Sequence, residues 1–359
     1  MTKLYDLLSK KWIQFFQTDK LSLDNYYYEP FQDNQETFDS NRIFETESFK
    51  DRKRIKTNYN KSIFKYFLDG SRKPYKIGDI VTTDNKFVPV VAGQIGTSCC
   101  KRENDGKIKS HKLEKKNVIT LFNSIQNSDF EDIKEEIEKN MQNKNIKIEI
   151  EKYKFDKNKD KIPVDAAIAK IQEIMQNMEI ELIKNMVNDN ILDTDKILVV
   201  DGSLQFMTQK YDPEIFYNVI GISKSFNPNL EGLLKNKIQI GVLLSKLKFG
   251  ERTPVYEYNT EGRIKNKIGA WYLRIHEHGN IKNPLEGVVK IEKMAIKEEE
   301  SVGFDSGTID NISMSILAER NPTCYGNDNR WANHIYPIYL TEKFLKSNFL
   351  SNLYFMNLF

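Results

Sequence analysis

An amphipathic helix that leads directly into a buried strand is the feature that most constrains how this chain folds. Residues 164–187 repeat apolar side chains at spacings of three and four, which predicts a helix with one apolar face. After a short polar break, residues 196–203 read Lys-Ile-Leu-Val-Val-Asp-Gly-Ser, and this apolar run predicts a strand buried on both faces. A helix followed by such a strand is typical of α/β proteins, so we expect a mixed sheet flanked by helices.

The other segments divide the chain into an N-terminal extension, residues 1–60, and a main domain, residues 61–359. Within the main domain we expect a lysine-rich insertion at about 101–163, with a polar loop or hairpin tip at 101–118 and a solvated stretch at 146–162. Apolar periodicity and β-branched composition predict the remaining elements. They are strands at 63–69, 87–100, 217–223, 236–247, 270–276 and 287–296, and helices at 4–16, 128–145 and 330–359, the last started or kinked near Pro337.

Composition limits the classes of protein that remain. The chain has 54 Lys and Arg against 51 Asp and Glu, a net charge of +3, which excludes a polycationic coat protein but leaves room for a local nucleic-acid interface. Three cysteines, Cys99, Cys100 and Cys324, form neither a disulfide framework nor a zinc-binding spacing. Because the sequence contains no run of 18 apolar residues and no signal-peptide pattern, we expect a cytoplasmic protein without a membrane partner.

Several common catalytic motifs are missing from the sequence. There is no G-x-x-x-x-G-K-[ST] loop, no G-x-G-x-x-G, no G-x-S-x-G and no H-E-x-x-H. The sequence therefore gives no support to an ATPase, a dinucleotide oxidoreductase, a serine hydrolase of that type or a zincin.

Two predicted strands end in the same tripeptide, Asp-Gly-Ser. Asp69 follows the strand at 63–69 and Asp201 follows the strand in 196–203. Either tripeptide alone is also an ordinary turn sequence. An aspartate at the carboxyl end of a buried strand faces the crevice where α/β proteins bind ligands, so a pair of them predicts a shared site for a hard divalent cation.

A third carboxylate for such a site is expected on the helix before the second tripeptide. Glu179 and Glu181 both border the apolar face of that helix, and helical phase does not decide between them. Solvated surface glutamates are the alternative interpretation for both.

Two further residues are candidates for contact with a phosphate. Lys224 directly follows the strand at 217–223, where it can meet a phosphate as a point charge; the alternative is a surface lysine. His334 lies among aromatic residues at a helix start, where it can ligate a metal, act as general acid or base, or contact phosphate; the alternative is a core or capping histidine.

In this order, these elements resemble the NurA nuclease family. The resemblance rests on the strand and Asp-Gly-Ser at 67–71, the helix, strand and Asp-Gly-Ser at 178–203, Val-Ile-Gly-Ile-Ser-Lys-Ser at 219–225, and the late His-Pro helix at 330–345. It implies an RNase H-like core, shared in outline with PIWI domains, that cleaves DNA with Mn²⁺ or Mg²⁺. It also implies a HerA-type hexameric ATPase as partner, a homodimer, and a role in DNA end processing and repair or in anti-phage (antiviral) defence.

The resemblance assigns roles to five residues. Asp69 and Asp201 match the two metal-binding aspartates, and Glu181 is preferred over Glu179 as the third ligand because its distance from the second aspartate is closer to that of the family. Lys224 and His334 match the recurrent lysine and the late histidine. Two cations held by the carboxylates would then activate a water and stabilise the leaving oxygen, while Lys224 and His334 act on the scissile phosphate.

Contacts to partners are expected outside this constellation. The basic stretch at 101–116 is a candidate to bind the DNA backbone, and a solvated loop is the alternative interpretation. The candidate DNA-binding residues in it are Lys101, Arg102, Lys107 and Lys109. The helix at 4–16 and the apolar C-terminal tract at 344–359 are candidates to dock the ATPase. Other interpretations remain: a non-catalytic DNA- or translocase-binding subunit on an RNase H/PIWI-like fold, a PIWI-like guide-binding module, and a scaffold in which both tripeptides are only turns.

Overall fold

The computed structural model describes residues 14–16, 21–23, 38–55, 62–81, 85–142, 146–155, 162–205, 211–226, 239–258, 266–277, 284–320 and 331–359. The strands in these ranges are β1 (Gln14–Phe16), β2 (Leu21–Ser22), β3 (Phe38–Ile43), β4 (Lys53–Arg54), β5 (Phe64–Val81), β6 (Phe87–Arg102), β7 (Ile108–Phe122), β8 (Ile148–Tyr153), β9 (Ile197–Asp201), β10 (Val219–Ser223), β11 (Glu251–Arg252), β12 (Tyr256–Tyr258), β13 (Ile268–Arg274) and β14 (Val288–Met294). The helices are α1 (Asn127–Gln142), α2 (Pro163–Asn188), α3 (Ile240–Ser245), α4 (Lys297–Val302), α5 (Ser306–Glu319), α6 (Tyr336–Ser347) and α7 (Asn352–Met356), with short 3₁₀ segments at Pro213–Phe216 and Trp331–Asn333.

One large mixed sheet organises these elements. Its main strand order is β3-β12-β13-β14-β10-β9-β5-β6-β7-β8. The pairs β5–β9, β9–β10 and β7–β8 are parallel, and the other neighbours along this order are antiparallel. The expected α/β architecture with a mixed sheet flanked by helices is confirmed.

Helices cover both faces of the centre of the sheet. Leu68 and Val200 pack in one apolar cluster with residues of the C-terminal half of α2. Their chain neighbours Phe67 and Val199 pack in another cluster, with residues of α5 and α6. Because successive side chains of a strand point to opposite faces, α2 lies on one face of β5 and β9, and α5 and α6 lie on the other.

The first Asp-Gly-Ser lies inside a strand, contrary to the sequence prediction. The strand expected to stop at Gly70 and Ser71 continues to Val81, paired with β6 almost throughout. What ends at Leu68 is the parallel pairing with β9. Burial of Tyr75, Ile77 and Ile80 explains the continuation, since these side chains belong to the same core as β6 and β7.

Residues 101–163, expected to be a lysine-rich insertion with a solvated stretch at 146–162, belong to the sheet and its core where the structure describes them. They supply β7, α1 and β8, and their apolar side chains enter the core. The turn between β6 and β7 is confined to 103–107. Four lysines of this range, Lys109, Lys112, Lys115 and Lys116, lie on the outer part of β7, which is exposed or half-buried, while the last five residues of the strand, Val118 to Phe122, are buried.

The N-terminal extension also joins the sheet. Residues 14–16, expected at the end of a helix over 4–16, form β1 against β5, whereas 1–13 lie outside the described residues. Strand β3 forms one edge of the main sheet. Glu45, just after β3, makes a fully buried ion pair with Arg252 at 3.0 Å, which fixes the extension to the main domain.

The other predicted elements divide between confirmation and correction. The strands at 87–100, 217–223, 270–276 and 287–296 and the helices at 128–145 and 164–187 are confirmed within the described residues. The stretch 236–247 is helical at 240–245 instead of extended, and the C-terminal helix is split into α6 and α7. The C-terminal tract buries Phe355, Leu358 and Phe359 in the core, so these residues do not form a docking surface.

No described helix combines the length and apolarity that a membrane crossing requires.

Candidate active site

The two aspartates lie side by side where β5 and β9 separate. Leu68 of β5 is paired with Val200 of β9, and the next residue of each strand is Asp69 or Asp201. Alternation along the strands places both aspartates on the face covered by α6. Burial, and after it the negative charge of Asp201, raises the pKa of Asp69 well above its usual value. The sequence prediction that these two residues share a site is consistent with this geometry.

Lys224 brings a positive charge to the aspartates. Its Nζ lies 2.7 Å from Oδ2 of Asp201, and both side chains are largely buried. Burial alone disfavours the charged lysine, but the carboxylates of Asp201 and Asp69 overcome that cost and raise the pKa of Lys224. The lysine is therefore a charged member of the cluster and not a surface lysine.

Of the two candidate glutamates, the structure places Glu179 beside the aspartates, and Glu181, the one preferred from the resemblance, lies away from them. Glu179 is 4% exposed and accepts a hydrogen bond from the backbone N–H of Gly70. Burial, followed by the charge of Asp201, raises the pKa of Glu179 to about 8. Glu181 points into solvent, where it lies 3.6 Å from the ammonium of Lys184.

Gly70 makes the approach of Glu179 possible. A Cβ at position 70 would lie 2.5 Å from Oε1 of Glu179, closer than atoms can come without displacement. The glycine of the first Asp-Gly-Ser is therefore needed for close packing of a helix side chain against the strand, and not for a turn.

A carboxylate that the sequence analysis missed, Glu342, faces the same cluster from α6. Burial would raise the pKa of Glu342, but a hydrogen bond from Lys346 and the charges of Lys224, Lys346 and His334 lower it below its usual value. The available signal was helical spacing, because Glu342 is four residues after Ile338 and three before Leu345, both of which are buried.

His334 lies at the entry to α6 and is buried. The neighbouring Asn333 fixes this segment to the sheet: its side-chain amide donates to the carbonyl of Lys224 at 2.9 Å and its side-chain oxygen accepts from the N–H of Gly287 at 2.7 Å. The ring of His334 packs edge-on against Tyr339. The fold thus brings the predicted histidine to the same end of β10 as Lys224.

The chain after Asp201 is held by a second missed residue, Glu292 of β14. This buried carboxylate accepts hydrogen bonds from the hydroxyl of Ser203 and the N–H of Leu204, each at 2.8 Å, and lies 3.2 Å from the ammonium of Lys290. Gly202, between Asp201 and Ser203, has a φ of +121°, a backbone conformation that favours glycine. Glu292 therefore orients the segment that follows Asp201.

The basic residues of the β6–β7 hairpin are not brought to the aspartates. Ser98 of β6 is opposite Asp69, and the strand continues four residues to Arg102, roughly 13 Å further at about 3.3 Å per residue. Arg102 is bound to Glu319 through two hydrogen bonds of 2.6 and 2.7 Å, so its charge is used within the fold. Lys107 pairs with Asp105, and Lys101 lies opposite the exposed Lys109.

The carboxylates of Asp69, Glu179 and Asp201 are suitable ligands for a hard divalent cation, but in this structure they are not close enough together to share one. Oδ2 of Asp69 is buried and accepts no hydrogen bond from any described residue, and carboxylate oxygens are the ligands that Mg²⁺ and Mn²⁺ prefer. Within the described ranges, no three acidic, histidine or cysteine side chains are close enough together to hold a metal ion as they stand.

A search of known protein families and of curated protein sequences finds no match to this chain.

Proposed function

We propose that the protein is a divalent-metal-dependent nuclease that hydrolyses DNA phosphodiester bonds on an RNase H-like core. The observation that carries this proposal is the electrostatic coupling of Asp69, Asp201 and Glu179, which come from two parallel strands and a packed helix, with Lys224 bound to Asp201. Burial of several ionisable groups in one place costs folding free energy, and the perturbed pKa values of Asp69, Glu179 and Lys224 are typical of functional sites.

The three carboxylates Asp69, Glu179 and Asp201 would hold Mn²⁺ or Mg²⁺. When bound, the ion supplies an activated water and neutralises charge on the leaving oxygen. The carboxylates need a cation for this substrate, because a phosphodiester is itself negatively charged and bare carboxylates would repel it.

Two side chains of the protein act on the phosphate. Lys224 provides a point charge that binds a non-bridging phosphate oxygen, and the hydrogen bond from Asn333 to its carbonyl holds its backbone at the end of β10. His334 donates a proton from an imidazole nitrogen to the leaving oxygen. The negative charge of Glu342 favours the charged form of Lys224.

The same resemblance leads us to propose DNA and a HerA-type hexameric ATPase as partners, a homodimer as the assembly, and end processing or anti-phage defence as the role. Size-exclusion chromatography with light scattering tests the dimer, and co-purification with a HerA-type ATPase tests the partner. A monomer at micromolar concentration that does not bind the ATPase would contradict both.

The test of the activity is cleavage of linear duplex and single-stranded DNA with Mn²⁺, Mg²⁺ or EDTA. We expect cation-dependent cleavage by the wild type, loss of at least about 100-fold in Asp201→Asn and Glu179→Gln, and wild-type cleavage by Glu181→Gln. Glu181→Gln is a matched control, since it makes the same change two residues away on the solvent side of α2.

A wild type that binds DNA but never cleaves it, with any of these cations and with the ATPase added, would refute the nuclease. The chain would then be a non-catalytic DNA- or translocase-binding subunit.

A further inference from the structure

Lys224 occupies the position from which a cation can neutralise the acidic cluster. Its Nζ contacts Oδ2 of Asp201 at 2.7 Å, and its side chain is 8% exposed. Asp69 and Glu342 attract the same ammonium group from the neighbouring strand and from α6. A single positive charge of the chain is thus shared by several carboxylates.

The backbone on both sides of this ion pair is fixed. Asp201 is opposite Ile222 in the β9–β10 pair, so the two strands that carry the ion pair are hydrogen-bonded to each other. The carbonyl of Lys224 accepts a hydrogen bond from Asn333. The ammonium group can nevertheless move away from Asp201, because a lysine has four rotatable side-chain bonds.

The ion pair also bears on the geometry of the carboxylates. In the described part of the chain no three acidic or histidine side chains are near enough to one another for a metal ion, although Asp69, Glu179 and Asp201 are electrostatically coupled. An ammonium group that binds Asp201 directs this carboxylate toward β10 and occupies one of its two oxygens.

We propose that Lys224 is a resident counter-cation that a divalent metal ion must displace from Asp201, so that this lysine sets the metal concentration at which the site is loaded. This inference rests on the proposed function, because it concerns the same carboxylates. An ammonium and a divalent ion repel each other strongly when both contact one buried carboxylate, and the displaced lysine is then free to bind a substrate phosphate.

The test is equilibrium binding of Mn²⁺ to the full-length protein without DNA, followed by the electron paramagnetic resonance signal of the free ion. We compare the wild type with Lys224→Met, which keeps the length of the side chain and removes its charge. Lys224→Gln is a second variant that still donates a hydrogen bond to Asp201, in case the methionine variant does not fold.

We expect both variants to bind Mn²⁺ at least about tenfold more tightly than the wild type. This magnitude follows from the effect of a neighbouring charge on proton binding to a carboxylate, which is typically one to three powers of ten at about 4–6 Å.

Two control variants separate displacement from other effects. Lys293→Met removes an equally buried lysine, paired with Glu299 at 2.9 Å on β14, and is expected to leave Mn²⁺ affinity unchanged. Lys346→Met removes a positive charge beside Glu342 without touching Asp201, and is expected to change the affinity by less than about threefold.

The outcomes are distinct. Displacement is overturned if the Lys224 variants bind Mn²⁺ no more tightly than the wild type, or if Lys346→Met gains as much Mn²⁺ affinity as they do. In either case metal-dependent cleavage by the wild type would still support the proposed function. Absence of Mn²⁺ binding in every variant, together with absence of cleavage, overturns the proposed function and this inference with it.

Discussion

Replacement of Glu179 by glutamine is expected to change how the stability of the metal-free protein depends on pH. The pKa of Glu179 is raised from 4.5 to about 8, so the folded protein retains a proton that the unfolded chain releases. Stability then falls as pH rises from about 4.5 to about 8, because ionisation is favoured more in the unfolded chain than in the buried site. At about 1.4 kcal/mol per pH unit, this interval corresponds to about 5 kcal/mol of unfolding free energy.

The assay is urea unfolding in EDTA at half-unit steps from pH 4.5 to pH 9 for the wild type, Glu179→Gln and Glu181→Gln. Glutamine keeps an oxygen that can accept the hydrogen bond from Gly70 and has no charge to lose. We therefore expect the unfolding free energy of Glu179→Gln relative to the wild type to increase by about 5 kcal/mol across the range. Glu181→Gln is expected to follow the wild type, because Glu181 is half exposed. Parallel curves for Glu179→Gln and the wild type would refute a protonated, buried Glu179.

Other expected outcomes test the contacts around the site, each by chemical denaturation. Gly70→Ala is expected to cost about 1–3 kcal/mol through overpacking against Glu179, and to cost much less in a Glu179→Ala background. Glu292→Ala is expected to cost about 3–5 kcal/mol, because it removes the carboxylate that faces the buried ammonium of Lys290 and accepts the hydrogen bond of the Leu204 N–H; a cost below 1 kcal/mol would contradict its role in holding the loop. Arg102→Ala is expected to cost about 1–3 kcal/mol because Glu319 is buried, and an unchanged midpoint would mean that the arginine is free for other partners.

The sequence predicts those parts of the fold whose evidence is contiguous. Helix α2 and strand β9 are recognisable because periodicity and an uninterrupted apolar run lie within one segment. The proximity of Asp69 and Asp201 is predicted by the same reasoning, although only β9 ends there: β5 loses its parallel pairing with β9 after Leu68 and continues to Val81.

The errors arise where a distant contact overrides a local pattern. Asp-Gly-Ser is turn chemistry, yet β5 continues through it because β6 supplies partners for its backbone and the core accepts its later side chains. Glu179 and Glu181 are indistinguishable from helical phase, and what separates them is the absence of a Cβ at Gly70, more than a hundred residues away. Glu292 gave no signal because its partners, Ser203 and Leu204, are about ninety residues earlier in the chain.

The lysine-rich stretch illustrates a further limit. The lysines in the outer part of β7 give this segment the composition of a loop. The segment is nevertheless a strand, because it stays hydrogen-bonded to β6 where it extends past the core. Only the buried part of β7, from Val118 to Phe122, has a mostly apolar sequence that predicts a strand.

The position of α6 has a consequence for the newly synthesised chain. Asp69 lies on β5, whereas His334 directly precedes α6 and Glu342 lies within it, and α6 packs on the sheet face that carries the aspartates. During translation at about 5–20 residues per second, β5 leaves the ribosome well before α6 is made. Until then the face of the cluster that α6 covers is open, although Lys224 is already present. A polypeptide stalled before residue 336 would therefore carry Asp69, Glu179, Asp201 and Lys224 without the helix that covers the aspartates.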